Sequence, residues 1–151
     1  MAETKLETRN SKLGGEAPRK PGQVRDFTDL QTWKLARELR ISIYAATKKF
    51  PPEERYVLFG QLRRAASSIT ANIAEGFGRY SYRENMQFCR QARGSAFELR
   101  DHLTTALDEK YILRGEWERL DALAQRVIQL LNGYIPATQK RAAQVTARPE
   151  V

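Results

Sequence analysis

The fold is decided by the stretch Gln61-Leu62-Arg63-Arg64-Ala65-Ala66-Ser67-Ser68-Ile69-Thr70-Ala71-Asn72-Ile73-Ala74-Glu75-Gly76. Apolar residues recur every three or four positions in and just before it, which predicts an amphipathic helix: Phe59, Leu62, Ala66, Ile69 and Ile73. The pattern breaks at Gly76 and Gly78 and restarts at Ser81. This region therefore predicts two consecutive helices that form a core together.

The same region carries much of the positive charge. Residues 55–100 contain eight arginines, no lysine and three glutamates, for a net charge of +5. The whole chain carries +8, to which residues 1–25 contribute +3 and residues 137–151 contribute +2. A field of this sign favours polyanions as partners.

Helical periodicity extends over most of the chain and predicts four helices, at about residues 28–49, 52–75, 81–108 and 116–134. Capping boxes are predicted at Thr28 with Gln31 and at Ser81 with Glu84. Stop signals follow three of the helices: Pro51-Pro52, Gly76 and Pro136.

The fold class predicted from these elements is all-α, since no strand-length alternation or hairpin turn is visible. Four helices with short connectors favour an antiparallel, up-down-up-down four-helix bundle over residues 26–136. Residues 1–25 and 137–151 are polar, and we predict a disordered basic arm and a disordered basic tail there.

Catalytic and metal-binding patterns are sparse. The chain has one cysteine, Cys89 on the apolar stripe of the third helix, and one histidine, His102, about 20 Å away along that helix. There is neither a paired Glu-x-x-His motif nor a phosphate-cradling glycine loop. We therefore expect no enzyme, no metal and no cofactor. No apolar run approaches 18 residues, which predicts no spanning helix. The N-terminus lacks the apolar h-region of a secretory signal, and a single cysteine gives no indication of an oxidising compartment, so the cytoplasm is the default location.

The arginines are the candidate binding residues. Arg83, Arg90, Arg93 and Arg100 fall within about a 100° arc of the third helix. The predicted nucleic-acid-binding set adds the second helix and the connector: Arg63, Arg64, Arg79, Arg83, Arg90, Arg93 and Arg100. Guanidinium groups suit phosphate oxygens, and the nearby Tyr80, Tyr82 and Phe88 suit stacking on unpaired bases. Two alternatives remain open. In the first, the arginines pair with carboxylates of a neighbouring helix or subunit. In the second, they form a solvated face.

Polar and surplus aromatic residues add two further expectations. Asn72 and Glu75 lie on or beside an apolar face, where they either tie the second helix to a neighbour or to the Gly76 turn, or face a ligand. Extra apolar side chains beyond one core indicate an oligomer interface: Trp33, Phe59, Phe97 and Trp117.

Several of these motifs together resemble a known bacterial family. They are Phe27, Leu30 and Trp33; Phe50-Pro51 followed by Glu54; Gln61 to Ala65; Ser68-Ile69; Asn72 to Gly76; and Gly94-Ser95 before Glu98-Leu99. The family is that of four-helix bundle proteins encoded in intervening sequences of 23S ribosomal RNA genes. It is related to the accessory variability determinant of diversity-generating retroelements.

The resemblance, which covers about residues 26–136, implies a four-helix bundle that assembles into a homopentameric barrel. For the retroelement members it further implies a basic surface that binds nucleic acid and docks on a reverse transcriptase. This sequence looks more like the intervening-sequence branch. We therefore expect a non-enzymatic homo-oligomer, a pentamer as the resemblance implies, that binds structured RNA or RNA–DNA through an arginine-rich surface, with RNA favoured. The alternative is a scaffold that docks a partner such as a reverse transcriptase without touching nucleic acid.

Overall fold

The structure, a computed structural model, describes residues 21–147 except for the side chain of Arg55. Four helices dominate it: α1 (Gln31–Thr47), α2 (Leu58–Phe77), α3 (Tyr82–Asp108) and α4 (Arg114–Thr146). The described residues contain no strand. The predicted all-α class and antiparallel bundle are confirmed. The first 20 residues of the predicted arm and residues 148–151 of the predicted tail lie outside the described part of the chain.

The helices form a square in which each one packs against two others. α2 packs on α1 and α3, and α4 packs on α3 and α1, while the diagonal helices bring no Cα atoms within 8 Å of each other among the described residues. Burying apolar side chains between the helices is the main stabilising term. The largest fully buried side chains come from all four helices: Leu39, Ile43, Leu62, Ile69, Ile73, Leu99, Leu103, Leu120, Val127 and Leu131.

The entry into α1 differs from the predicted capping box at Thr28. A short 3-10 helix, Phe27–Asp29, precedes α1, and Asp26 caps it by accepting a hydrogen bond from the Thr28 backbone N–H at 3.3 Å. Asp29 completes the box by accepting from the Asp26 N–H at 3.2 Å. The prediction was wrong because Leu30 is buried with an extended backbone, so that α1 begins only after it.

The start of α2 is also later than predicted. Residues Pro52–Tyr56 form a second 3-10 helix, and the backbone breaks at Val57 before α2 begins at Leu58. Glu54 holds this segment in place, since its carboxylate accepts hydrogen bonds from the Leu58 N–H at 3.4 Å and from the Tyr111 hydroxyl at 2.7 Å. Tyr111 lies after α3, so this carboxylate joins two connectors at the same end of the bundle.

Gly76 has a different role from the predicted helix stop. α2 continues to Phe77, and Gly78 is the C-cap with an ordinary φ of −74°. Gly76 is buried where α2 meets α3. A Cβ atom there would lie 2.8 Å from Asn85 Oδ1 and 2.9 Å from Phe88 Cβ. The glycine is needed because the two helices approach too closely for any side chain.

The ends of α3 and α4 bring two further corrections. Ser81 occupies the N-cap of α3 but makes no side-chain capping bond, so the predicted box with Glu84 is absent. α4 passes through Pro136 and continues to Thr146, so that residues 137–146 are helical rather than a disordered tail. Proline removes one helical hydrogen bond. Burial of Ile135 and Thr138 on either side of Pro136 keeps the helix on the bundle.

The α3–α4 connector is closed by a left-handed residue. Lys110 has a φ of +61°, and the N–H groups of Lys110 and Tyr111 donate to the carbonyls of Leu107 and Ala106 at 3.0 and 2.9 Å. This is the Schellman arrangement, in which glycine is the usual left-handed residue. It reverses the chain, so that α4 runs back along α3.

The close approach at Gly76 generates a stability prediction. Gly76→Ala should lower the free energy of unfolding by roughly 1–3 kcal/mol, because α3 must move to accept the methyl group. Gly133→Ala in α4 is the matched control. Its Cβ meets nothing within 4 Å, so the better helix propensity should stabilise the protein by about 0.5–1 kcal/mol. Urea denaturation measures both, and a Gly76→Ala protein as stable as the parent would contradict the packing argument.

Candidate nucleic-acid interface

The structure separates the seven predicted binding arginines into bonded and free groups. Arg63 is half-buried. Its guanidinium lies 4.0 Å from the Phe59 ring centroid and 4.5 Å from that of Tyr44. It also donates to Thr47 Oγ1 at 2.9 Å and to the Tyr44 carbonyl at 3.1 Å. Arg63 therefore fastens α2 to α1.

Arg93 and Arg100 point towards α4. The guanidinium of Arg100 binds both carboxylate oxygens of Asp121, at 2.7 and 3.3 Å, and Asp121 is only 4% exposed. Gln125 donates to the same carboxylate at 2.6 Å. Arg93 donates to Asn132 Oδ1 at 2.9 Å. Arg93 and Arg100 therefore hold α3 against α4.

Arg64 and Arg79 form exposed pairs that bind them only weakly. Arg64 reaches Glu98 at 3.4 Å and also donates to Gln61, while Arg79 binds Glu75 at 2.7 Å. Exposed ion pairs contribute little to stability, about 0–1 kcal/mol. The Arg79 guanidinium also lies 5.0 Å from the half-buried Phe88 ring, so this ring is less accessible to a base than Tyr80 or Tyr82.

Arg83 and Arg90 remain available. Both side chains are exposed, and neither has a hydrogen-bond or ion-pair partner among residues 21–147. They are seven residues apart, which is two helical turns or about 10 Å along the outer face of α3. Tyr80 is fully exposed in the connector, and Tyr82 is 40% exposed at the start of the helix.

The last turns of α4 bring more cations to this end of the bundle. Lys140 and Arg141 are exposed, and Arg141 lines a cleft of about 270 Å³ together with Tyr82, Gln144 and Val145. We call the combined patch the turn-end surface, and its members are Tyr80, Tyr82, Arg83, Arg90, Lys140 and Arg141. It combines unpaired cations with exposed aromatic rings, as in sites for single-stranded nucleic acid.

Lys140 and Arg141 were missed as site residues because the sequence placed them in a tail. The sequence did contain a signal that α4 extends past Pro136. Leu131, Ile135, Thr138 and Ala142 continue the apolar period of α4 past Pro136. For Arg100, pairing with a carboxylate of a neighbouring helix was one of the open alternatives, but Asp121 was not identified as the partner, because it is 21 residues away in sequence and reaches Arg100 only through the antiparallel turn.

Asn72 and Glu75 both act within the protein. The Asn72 side-chain amide donates to the Ser68 carbonyl at 2.9 Å and to Ser68 Oγ at 3.0 Å. Ser68 Oγ is in turn 2.9 Å from Ser95 Oγ on α3. Glu75 holds Arg79 in the turn after Gly76. Asn72 therefore bonds within α2 and is linked to α3 only through Ser68, whereas Glu75 bonds to the turn residue Arg79.

The residues with catalytic potential are dispersed. Burial raises the pKa of the Cys89 thiol to about 11, which keeps it protonated at neutral pH. His102 contacts Glu98 at 3.4 Å. No group of three or more potential metal ligands is found between residues 21 and 147. In that same range, none of the helices has the length and apolarity needed to cross a membrane.

The Arg100–Asp121 pair predicts that arginines on one helix differ in their effect on stability. Arg100→Ala should lower the free energy of unfolding by roughly 2–4 kcal/mol, because it leaves a buried carboxylate with Gln125 as its remaining partner. Arg90→Ala, on the same helix, should change it by less than about 0.5 kcal/mol. Chemical denaturation of the two variants is the measurement, and equal losses would show that Arg100 does not act through Asp121.

The fold and the surface together define this protein as a small antiparallel four-helix bundle with a basic, aromatic patch at one end. The chain belongs to the 23S rRNA-intervening sequence protein family, whose model matches residues 28–133. The predicted family is therefore confirmed.

The solved structures include a similar bundle, a protein of unknown function from the S23 ribosomal protein family of Bacteroides thetaiotaomicron. The two chains share 24% identity with a TM-score of 0.65, over 69% of this chain and 97% of that one. This likeness concerns the fold alone. A search of curated proteins returns no match.

Proposed function

We propose that this protein is a non-enzymatic, homo-oligomeric bundle that binds structured RNA through the turn-end surface. The observation that carries the proposal is the unpaired state of Arg83 and Arg90 beside exposed Tyr80 and Tyr82. An arginine without an internal partner keeps its full set of donors for phosphate oxygens. Exposed tyrosine rings suit the unpaired bases of loops and bulges, which duplex DNA does not offer.

The homo-oligomer in this proposal is the pentamer that the family resemblance implies. A ring repeats the turn-end surface once per subunit, so that weak contacts add up to useful avidity when one RNA spans several subunits. We include the cytoplasm in the proposal, because a chain with a single cysteine suits a reducing compartment.

A scaffold function is the second candidate, and one observation favours it. Five of the seven predicted binding arginines already have partners within the bundle: Arg63, Arg64, Arg79, Arg93 and Arg100. At the same time Ile41, Tyr44 and Phe97 expose apolar surface. Such a protein would dock a partner such as a reverse transcriptase. A reverse-transcriptase gene and its template repeat beside the gene for this protein would support that version.

Charge reversal tests RNA binding. In the full-length chain, Arg83→Glu with Arg90→Glu should weaken binding to a labelled stem-loop RNA at least about tenfold, and should reduce the slope of log affinity against log salt by about 2. Fluorescence anisotropy at several salt concentrations measures both quantities.

The control for this test is Lys49→Glu with Arg119→Glu, at the opposite end of the bundle. It changes the net charge by the same amount and leaves residues 1–20 and 148–151 identical in both proteins. Its affinity should fall far less. If both double variants bind equally well, the turn-end surface is not the RNA site. If the parent protein does not bind at all, the scaffold function is favoured.

A further inference from the structure

A cleft lies between the first turn of α3 and the last turns of α4. Its volume is about 270 Å³, and the residues that line it are Tyr82, Arg141, Gln144 and Val145. None of these four residues is acidic. Pockets for drug-sized ligands begin at about 300 Å³, so this cleft suits a group no larger than a single flat ring system. We call it the turn-end cleft, and it is a candidate site for one group that projects from a larger partner.

The bundle holds the two walls of the turn-end cleft in place. Asn85, one turn beyond Tyr82 on α3, donates a hydrogen bond to the Tyr134 hydroxyl on α4 at 3.0 Å. The Asn85 Oδ1 atom in turn accepts from Cys89 Sγ at 3.4 Å. Thr138, which precedes Arg141 by one turn, is 4% exposed and keeps the end of α4 on the bundle. Because these contacts form within the chain, the cleft is shaped before a partner arrives, which lowers the cost of binding.

The lining side chains supply the contacts that an unpaired nucleotide needs. Tyr82 is 40% exposed and offers a ring on which a base can stack. Gln144 is exposed without a hydrogen-bond partner among residues 21–147, so its amide offers an acceptor and two donors to the edge of a base. Arg141 offers a guanidinium group to phosphate oxygens. Val145 is 63% exposed and adds apolar surface beside the ring.

Further cations flank the turn-end cleft. Arg83 follows Tyr82 and Lys140 precedes Arg141, and both side chains are exposed. Consecutive residues on a helix point about 100° apart, so these cations lie beside the cleft rather than inside it. The phosphates on either side of an inserted nucleotide therefore meet positive charge. This arrangement favours a nucleotide within a chain over an uncharged aromatic molecule.

We propose that the turn-end cleft binds one unpaired base from a bulge or loop of a structured RNA, stacked on Tyr82 with Gln144 at its hydrogen-bonding edge. This rests on the proposed function and names the RNA feature that the turn-end surface selects. Base-paired RNA does not supply that feature, because its bases stay stacked and its major groove is too deep and narrow for side chains. Selection is for an unpaired base rather than for a sequence, since every base has a π-face.

An abasic nucleotide tests this site directly. Three labelled RNA duplexes are compared: one fully paired, one with a single bulged adenosine, and one with an abasic residue at the bulge. The full-length parent protein should bind the adenosine bulge about tenfold more tightly than either of the others, because only this RNA offers a base for stacking. Fluorescence anisotropy at one salt concentration measures the three affinities. The two bulged RNAs carry the same charge, so their difference reports the base alone.

Variants of the full-length chain assign the effect to the cleft. Tyr82→Ala should weaken binding to the adenosine bulge about tenfold and leave binding to the abasic bulge unchanged. Tyr82→Phe keeps the ring and should bind like the parent. Tyr56→Ala, which removes a 90% exposed tyrosine at the opposite end of the bundle, is the matched control and should also bind like the parent. Gln144→Ala, at an exposed site, should weaken binding to the adenosine bulge alone, and it serves if circular dichroism shows Tyr82→Ala to be unfolded.

Three results would overturn the inference, and they separate it from the proposed function. If the parent binds all three duplexes equally well, the cleft takes no base, while RNA binding itself stands. If Tyr82→Ala weakens binding to the adenosine and abasic bulges alike, Tyr82 contacts the RNA backbone and the base site fails. If the parent binds none of the duplexes and does not bind the stem-loop RNA either, the proposed function fails and this inference fails with it.

Discussion

The contact between α2 and α3 at Gly76 is the constraint on which the rest of the bundle depends. With no side chain at that position, Asn85 and Phe88 approach the α2 backbone directly. The Ser68–Ser95 hydrogen bond joins the same two helices about two turns further along. Small residues let the helices lie close together, and close helices leave one register in which their side chains interlock. That register determines which face of α3 points to solvent.

The orientation of α3 in turn decides what its arginines do. Residues that turn towards α4 find Asp121 and Asn132 and become part of the structure, whereas Arg83 and Arg90 find no partner. The same outward face changes character along its length. It is basic near the turn and carries Phe97 and Asp101 in its second half.

Local sequence signals predicted the helices well and their ends less well. Periodicity identifies all four helices because burying one face requires apolar residues every three or four positions. The ends of the helices depend on several local effects, such as alternative caps and the burial of neighbouring side chains, and a single motif does not show which one prevails. Asp26 caps a short 3-10 helix where Thr28 was predicted to cap α1, and α4 continues through Pro136 because Ile135 and Thr138 are buried on either side of it. Lys110 adopts a left-handed conformation that no residue preference would suggest.

The sequence by itself determined the helical class, the family, the polarity pattern and the concentration of arginine in one region. Those properties follow from residue order along single helices, where spacing and composition are sufficient. Only the tertiary structure decided which arginines are free, because every pairing except those of Arg79 with Glu75 and of Arg64 with Gln61 joins residues 16 to 39 positions apart that the antiparallel turns bring together. It also revealed the cations at the end of α4, because burial and neighbours exist only once the helices have packed.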